Sequence, residues 1–297
     1  MNTTLAEVVR SRLRQVDSIP TVPAVLRPLL DYMHLPAEQV DVQEIVKLVS
    51  YDQAITAQCL QLANSPLFAR SHRIESVKGA VISIGVTRLR DVLLSCCLVN
   101  LVPGGKWAVN PVAYWEHSFG CALVSQEFAR KIRFPDPEKA YLAGLLHDIG
   151  ELVNAFTISD QSRAAVEMAM DQKIPLHEAE QAVLGFDHAE SGALLAEHWQ
   201  LPEDIIEVIR HHHNVGKARQ VRSLVALVSL SDLLCRMRGL GYGYQDTAAV
   251  DFVCDPAWSV LEQEYPVITQ FDLLRFTYEM DEYTEEVRKL AASVYRN

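Results

Sequence analysis

His147 and Asp148 stand side by side at the end of an apolar stretch, Tyr141 to Glu151 (YLAGLLHDIGE). An imidazole next to a carboxylate is the chemistry of a metal-ligand pair. Adjacent residues on a helix diverge by roughly 100°, so the two can approach one ion from different directions. Taken alone the dipeptide is a weak motif, equally read as a helix end with a surface aspartate and a half-buried histidine. Further candidates lie along the chain. His117 sits among Trp115, Phe119 and Cys121, where an unpaired imidazole is costly unless something binds it. A core histidine bonded to a backbone carbonyl is the plain alternative. His188 opens a helix and can face a cleft or cap the surface. His211-His212-His213 closes an apolar helix, where imidazolium would also complement the C-terminal dipole. Asp232 interrupts the run LVALVSLSDLLC, and a carboxylate there needs a cation, a metal or several donors. A salt bridge to Arg236, four residues on, would also serve. His117, His147, Asp148, His188, a His-His pair from the run 211–213 and Asp232 together would form a nitrogen-rich set. Imidazoles outnumber carboxylates in it, which suits one or two divalent transition-metal ions (Fe, Mn or Zn) better than Mg or Ca.

The elements that must position these residues read as helices throughout. Residues 1–17 show amphipathic spacing, and the two prolines of Ser18-Ile19-Pro20-Thr21-Val22-Pro23 force an extended entry before a helix over 24–33. Helices follow over 42–50, with Asp41 as N-cap and Glu44 in the capping-box position, and over 52–63, stopped by Asn64-Ser65-Pro66. Two more, 74–84 and 87–101, are separated by Gly85. Pro103-Gly104-Gly105 marks a subdomain boundary. Beyond it the pattern predicts helices over 111–132, from Pro137 to the His-Asp pair, 151–158, 159–172, 175–185 with Glu178 and Glu180 solvated, 188–199 and 203–213. A helix over 221–238 is apolar almost all round and therefore buried. Residues 239–256 read as a glycine-rich surface loop, and two helices, 258–264 and 271–295, close the chain. The expected fold is all-α, two packed helical subdomains. The divisions are an N-terminal helix (1–17), an N-terminal subdomain (18–105), a metal-binding subdomain (106–240), and a loop with C-terminal helices (241–297).

Composition excludes some partners. With 27 Lys+Arg against 38 Asp+Glu, the formal net charge of -11 has the wrong sign for attraction to nucleic acid or an anionic membrane. The apolar runs 92–102 and 224–235 fall short of the roughly 20 residues of a membrane span. The N-terminus lacks the apolar core of a signal peptide. The six cysteines show no CxxC spacing and sit mostly in apolar runs, as free thiols do in the reducing cytosol. A cytoplasmic location is expected, with no nucleic-acid and no membrane partner.

The ordered set of helix-borne histidines and aspartates resembles the HD superfamily of metal-dependent phosphohydrolases. More closely, the chain resembles the HDOD (HD-related output domain) family of bacterial signalling proteins. Ile19-Pro20-Thr21-Val22-Pro23, Tyr51-Asp52-Gln53-Ala54, Leu62-Ala63-Asn64-Ser65-Pro66 and Ala80-Val81-Ile82-Ser83-Ile84-Gly85 are similar to that family's N-terminal pattern. Trp115-Glu116-His117-Ser118, Gly144-Leu145-Leu146-His147-Asp148-Ile149-Gly150, His188-Ala189-Glu190-Ser191-Gly192-Ala193 and Ile209-Arg210-His211-His212-His213 are similar to its HD-like part. The resemblance covers roughly residues 18–235 and implies an all-helical fold whose second subdomain is an HD-like bundle, with His117, His147, Asp148, His188, His212, His213 and Asp232 where metal-binding relatives place ligands. His34, His72, His177 and His198 fall outside that set and read as structural or surface residues. Relatives that hydrolyse cyclic di-GMP carry HDxGK and HHExxDGxGYP signatures. Here Glu151 replaces the lysine, and His212-His213-Asn214-Val215-Gly216 departs from the second motif. Losing a cation that could meet phosphate disfavours that substrate. The resemblance implies a signal-transduction output protein that binds a signalling protein or a small phosphorylated molecule. A working metal-dependent phosphohydrolase is the other reading, and a metal-free scaffold whose histidines merely pack is a third.

Overall fold

The protein, described by a computed structural model, is defined over residues 41–50, 53–64, 74–99, 107–242 and 251–295, with residues 7, 11 and 39 singly. The expected helices at 24–33 and, apart from residues 7 and 11, at 1–17 lie outside these residues. Among the described residues every regular element is helical, and none of the helices is long and apolar enough to cross a membrane.

Two compact units are present. The smaller holds the described residues of 41–99 together with 285–295. Its helices are α1 (Val42–Ser50), α2 (Gln53–Ala63) and α3 (Val77–Val99). The Asp41 carboxylate accepts from Gln43 N at 2.8 Å and caps α1. Ile45 and Val49 of α1, Ile55, Cys59 and Leu62 of α2, and Ile84, Leu89 and Leu93 of α3 are buried. Each such large aliphatic side chain contributes about 1.5–3 kcal/mol through burial. Asn64 ties the end of α2 to the start of α3: its amide donates to the Leu60 and Ile74 carbonyls and its oxygen accepts from Ile74 N, all at 2.7 Å. As the sequence suggests, α3 is two helical runs that meet at Gly85, whose φ of +84° and ψ of +165° break the helix and suit a residue without Cβ.

The larger unit holds the described residues from 107 to 284. Its helices are α4 (Pro111–Lys131), α5 (Pro137–Leu146), α6 (Gly150–Thr157), α7 (Ser159–Gln172), α8 (Leu176–Leu184), α9 (His188–His198), α10 (Glu203–His211), α11 (Arg222–Met237) and α12 (Pro256–Glu264). The first part of α13 (Leu273–Tyr295) follows. Their starts are written in the sequence. Asn110, Asp136, Asp187 and Asp255 each accept a backbone N–H at a helix N-terminus, and Pro111, Pro137 and Pro256 sit in the first turn, where the missing N–H costs nothing. Helix α4 packs on α5 and α11, and α6 on α9. Leu224 to Cys235 on α11 are buried except Ser229, as the all-round apolar pattern predicts.

Two glycines of the motif GLLHDIG set the closest of these contacts. A Cβ on Gly144 would lie 2.6 Å from the Cys121 carbonyl oxygen, so its absence lets α5 settle onto α4. A Cβ on Gly150 would lie 1.8 Å from the His188 carbonyl oxygen, so α6 and α9 meet backbone to backbone. Both approaches draw histidine-bearing helices toward the turn between α5 and α6.

Candidate metal centre

That turn carries His147 and Asp148, and the Asp148 carboxylate is the middle of the site. Its Oδ2 lies 3.1 Å from His117 Nε2 and 3.1 Å from His147 Nε2. Its Oδ1 lies 3.0 Å from His188 Nε2 and 3.1 Å from His212 Nε2. Asp232 Oδ1 stands 3.4 Å from His117 Nε2, and His213 Nε2 2.8 Å from His188 Nε2. All seven residues singled out in the sequence are thus in one cluster, buried apart from the half-buried His213. Two groups of donors share it: His117, Cys121, His147 and Asp232 on one side, and Asp148, His188, His212 and His213 on the other.

The protons on the imidazoles are fixed from behind. His117 Nδ1–H donates to the Leu240 carbonyl at 2.6 Å, His147 Nδ1–H to Gly144 at 2.7 Å, and His212 Nδ1–H to Ile209 at 2.8 Å. His188 Nδ1–H donates to the Glu180 carboxylate at 2.6 Å. In each neutral ring the Nε2 facing Asp148 is therefore a bare lone pair. His212 Nε2 and Asp148 Oδ1 accordingly have no hydrogen-bond partner despite being 3.1 Å apart. Lone pairs aimed at one another in a dry interior are unfavourable unless a cation stands between them. A histidine that gives one N–H to a carbonyl or carboxylate and turns the other nitrogen inward is the arrangement of a metal ligand. The spacing agrees: donors bonded to one ion at about 2.1 Å lie roughly 3.0 Å apart at right angles and roughly 3.4 Å apart in a tetrahedron. His117 Nε2 lies 3.1 Å from Asp148 Oδ2, 3.2 Å from His147 Nε2 and 3.4 Å from Asp232 Oδ1, and His147 Nε2 lies 3.1 Å from Asp148 Oδ2.

Electrostatics carries the same demand for positive charge. Burial would lower the His117 imidazole, yet the Asp148 and Asp232 carboxylates, which accept hydrogen bonds from its protonated form, raise it to about 10. Burial likewise opposes the raising of His188, and the charges of Glu180 and Asp148 override it. Asp148 is held well below the usual carboxylate range against its burial, chiefly by His147 and His188. Without an ion, then, the cluster gathers protons. Asp232 makes both contacts open to it: Arg236 Nε donates to its Oδ1 at 3.0 Å, one helical turn away, while the same oxygen faces His117.

Three residues were not foreseen. Glu180, expected in solvent, is buried; it accepts from His188 Nδ1 and from the His188 backbone N at 2.9 Å, so it orients the ring and satisfies an open N–H at the start of α9. The signal was present, because Leu176, Glu180 and Leu184 share one stripe at i, i+4 and i+8, and both leucines are buried. Tyr242, assigned to a surface loop, donates its hydroxyl to Asp148 Oδ2. Cys121 Sγ lies 3.6 Å from His117 Nε2, one turn along α4. His177 stacks on His213 at 3.9 Å between ring centroids, and His198 is exposed. His34 and His72 lie outside the described residues, as do residues 243–250 of the expected loop.

Glu151, read in the sequence as a replacement for a phosphate-facing lysine, points elsewhere. It is buried behind His188, with Oε1 3.2 Å from Nδ1 but without hydrogen-bond geometry, since that N–H goes to Glu180. Burial, then the charge of Glu180, raises its carboxyl from the ordinary 4.5 to about 8. An acid whose folded pKa is raised stabilises the fold fully below its unfolded value, and that stabilisation is lost as pH rises through the folded value. In metal-free protein, Glu151→Gln is expected to flatten the fall in stability between about pH 4.5 and about pH 8. Denaturant melts of both proteins across this range measure it, and parallel curves would refute the assignment.

Comparison with known proteins follows the same lines. The HDOD domain profile matches residues 19–215. A crystal structure of an HDOD domain protein of unknown function from Geobacter sulfurreducens is 30% identical, covers 99% of both chains and superposes with a TM-score of 0.85. A candidate phosphohydrolase from Shewanella amazonensis (22% identical, 97% of this chain and 98% of that one, TM-score 0.71) shares the fold. So does a candidate signal transduction protein from Marinobacter aquaeolei (21% identical, 98% and 65%, TM-score 0.79). An uncharacterised protein of Treponema pallidum is 27% identical over 242 residues, 80% of this chain; the chain spans about half of that relative's length (46%). The all-helical architecture, the matched profile and the Geobacter structure together establish that the chain belongs to the HDOD family.

Proposed function

We propose that this chain is a bacterial cytoplasmic signal-transduction output protein. Its larger unit holds a resident pair of divalent transition-metal ions (Fe, Mn or Zn) and uses them to bind a small phosphorylated signalling molecule or a signalling-protein partner. One observation carries the reading: Asp148 presents one oxygen to each of two groups of imidazole Nε2 atoms. An ion pair there would supply Lewis acidity toward phosphoryl oxygens and toward water. The chain's own residues would do the rest. His117, His147, Asp148 and Asp232 would hold one ion, and Asp148, His188, His212 and His213 the other. Glu180 and the Leu240, Gly144 and Ile209 carbonyls keep the rings turned inward. HDOD membership and the description of the Marinobacter relative support the signalling role.

Hydrolysis of a phosphoester is a second reading, favoured by the completeness of the bridged donor set and the description of the Shewanella relative. Cyclic di-GMP is disfavoured as its substrate, because the lysine of the cleaving relatives is absent and Glu151 is turned away behind His188. Elemental analysis of untagged protein is expected to find both ions bound. A panel of nucleotides and cyclic dinucleotides, with Mn or Fe added, is then measured for binding and for product. Binding without turnover supports the proposal; turnover abolished by Asp148→Ala replaces it with the enzyme. Protein that neither contains nor takes up metal sinks both.

A further inference from the structure

The turn after α11 lies beyond the segment matched by the HDOD profile, yet it closes the centre. Gly239 ends the helix with φ +75°, and Leu240 N bonds back to the Cys235 carbonyl at 2.9 Å. The Leu240 side chain lies over Gly120 of α4, where a Cβ would come within 2.7 Å of Leu240 Cδ1. From this position the Leu240 carbonyl fixes the His117 ring, and two residues later the Tyr242 hydroxyl meets Asp148 Oδ2. The Tyr242 and His117 rings are 5.0 Å apart. The phenol oxygen thus stands at the very carboxylate oxygen that the His117 and His147 nitrogens face.

We propose that Tyr242 is a ligand of the ion held by His117, His147, Asp148 and Asp232. The inference rests on the metal reading above. A cation entering this group competes with the phenol proton for Asp148 Oδ2. Ligation removes the conflict: the O–H bond breaks, the proton leaves to solvent, and the phenolate oxygen bonds the ion. A phenolate and two carboxylates beside two imidazoles form a hard, anionic set, which selects iron over zinc.

The test uses the full chain, stripped of metal by a chelator and reloaded with ferric iron. The iron-loaded protein is expected to show a visible phenolate-to-iron charge-transfer band that Tyr242→Phe lacks at equal iron content. In competition with a chromophoric chelator, Tyr242→Phe is expected to bind Mn about tenfold more weakly or worse. Bound iron with no band, or Mn affinity unchanged or tightened in Tyr242→Phe, overturns the inference while leaving the metal centre standing; the phenol would then be a donor that the ion displaces. Failure of the unmutated protein to bind either metal overturns both. If Tyr242→Phe does not fold, the band in the unmutated protein decides by its presence or absence.

Discussion

Asp148→Ala is expected to empty the centre of both ions, with affinity lowered by about 100-fold or more, beyond what loss of a supporting contact costs. Other candidate ligands serve one group of donors, whereas Asp148 serves both, Oδ2 toward His117 and His147 and Oδ1 toward His188 and His212. Removing it leaves two sets of imidazoles with no shared anion, and an ion in either set then faces the other across a gap. His147→Ala is expected to lose chiefly the ion on its own side. His198→Ala, at an exposed position on α9, is expected to keep both. Asp148→Asn separates charge from shape: it preserves volume and packing but offers a neutral amide, and it should lose metal as Asp148→Ala does. Elemental analysis and a far-ultraviolet spectrum of each variant measure the effect. Equal metal loss in Asp148→Ala, His147→Ala and His198→Ala would mean that the cluster is not where the metal sits.

Much of this was legible because local signals and tertiary demands coincide. Pro111 and Pro137 announce helix starts that the structure keeps, and the apolar run around Asp232 announces burial that the structure also keeps. A carboxylate in such a run needs a partner; the sequence offers Arg236 or a metal, and the structure supplies Arg236 and adds His117, which the sequence does not name as its neighbour. Residues whose local signal points the wrong way were misread. Glu180, among Glu178 and Gln181, looks like part of a polar stretch, although its stripe with Leu176 and Leu184 turns it inward to His188. Tyr242 follows a glycine turn with no periodicity, so nothing local says that it returns to Asp148. Glu151 takes the motif position of the lysine, and a motif fixes a residue's backbone position but not the direction of its side chain.

Gly150→Ala should be the most destabilising single-methyl change in the larger unit, costing about 3 kcal/mol or more. The added Cβ would meet the His188 carbonyl oxygen at 1.8 Å, the His188 carbonyl carbon at 2.7 Å and Gly192 N at 2.7 Å. These are all backbone atoms of α9, so no rotamer change can make room. Relief requires α6 and α9 to separate, and His188, at the first turn of α9, moves with its helix away from Asp148 Oδ1, now 3.0 Å from its ring. The variant is therefore expected to lose stability and the ion on the His188 side together, while the His117 and His147 contacts to Asp148 Oδ2 are less disturbed. Gly192→Ala is the informative contrast. Its Cβ would meet Ile209 Cγ2 and Gly150 N, each at 2.9 Å, so part of the clash falls on a side chain that can rotate. It should be milder than Gly150→Ala in both denaturation midpoint and metal content. A Gly150→Ala protein with unchanged midpoint and full metal would show that the two helices are not in backbone contact at this crossing, and that the second glycine of GLLHDIG serves some end other than bringing His188 to Asp148.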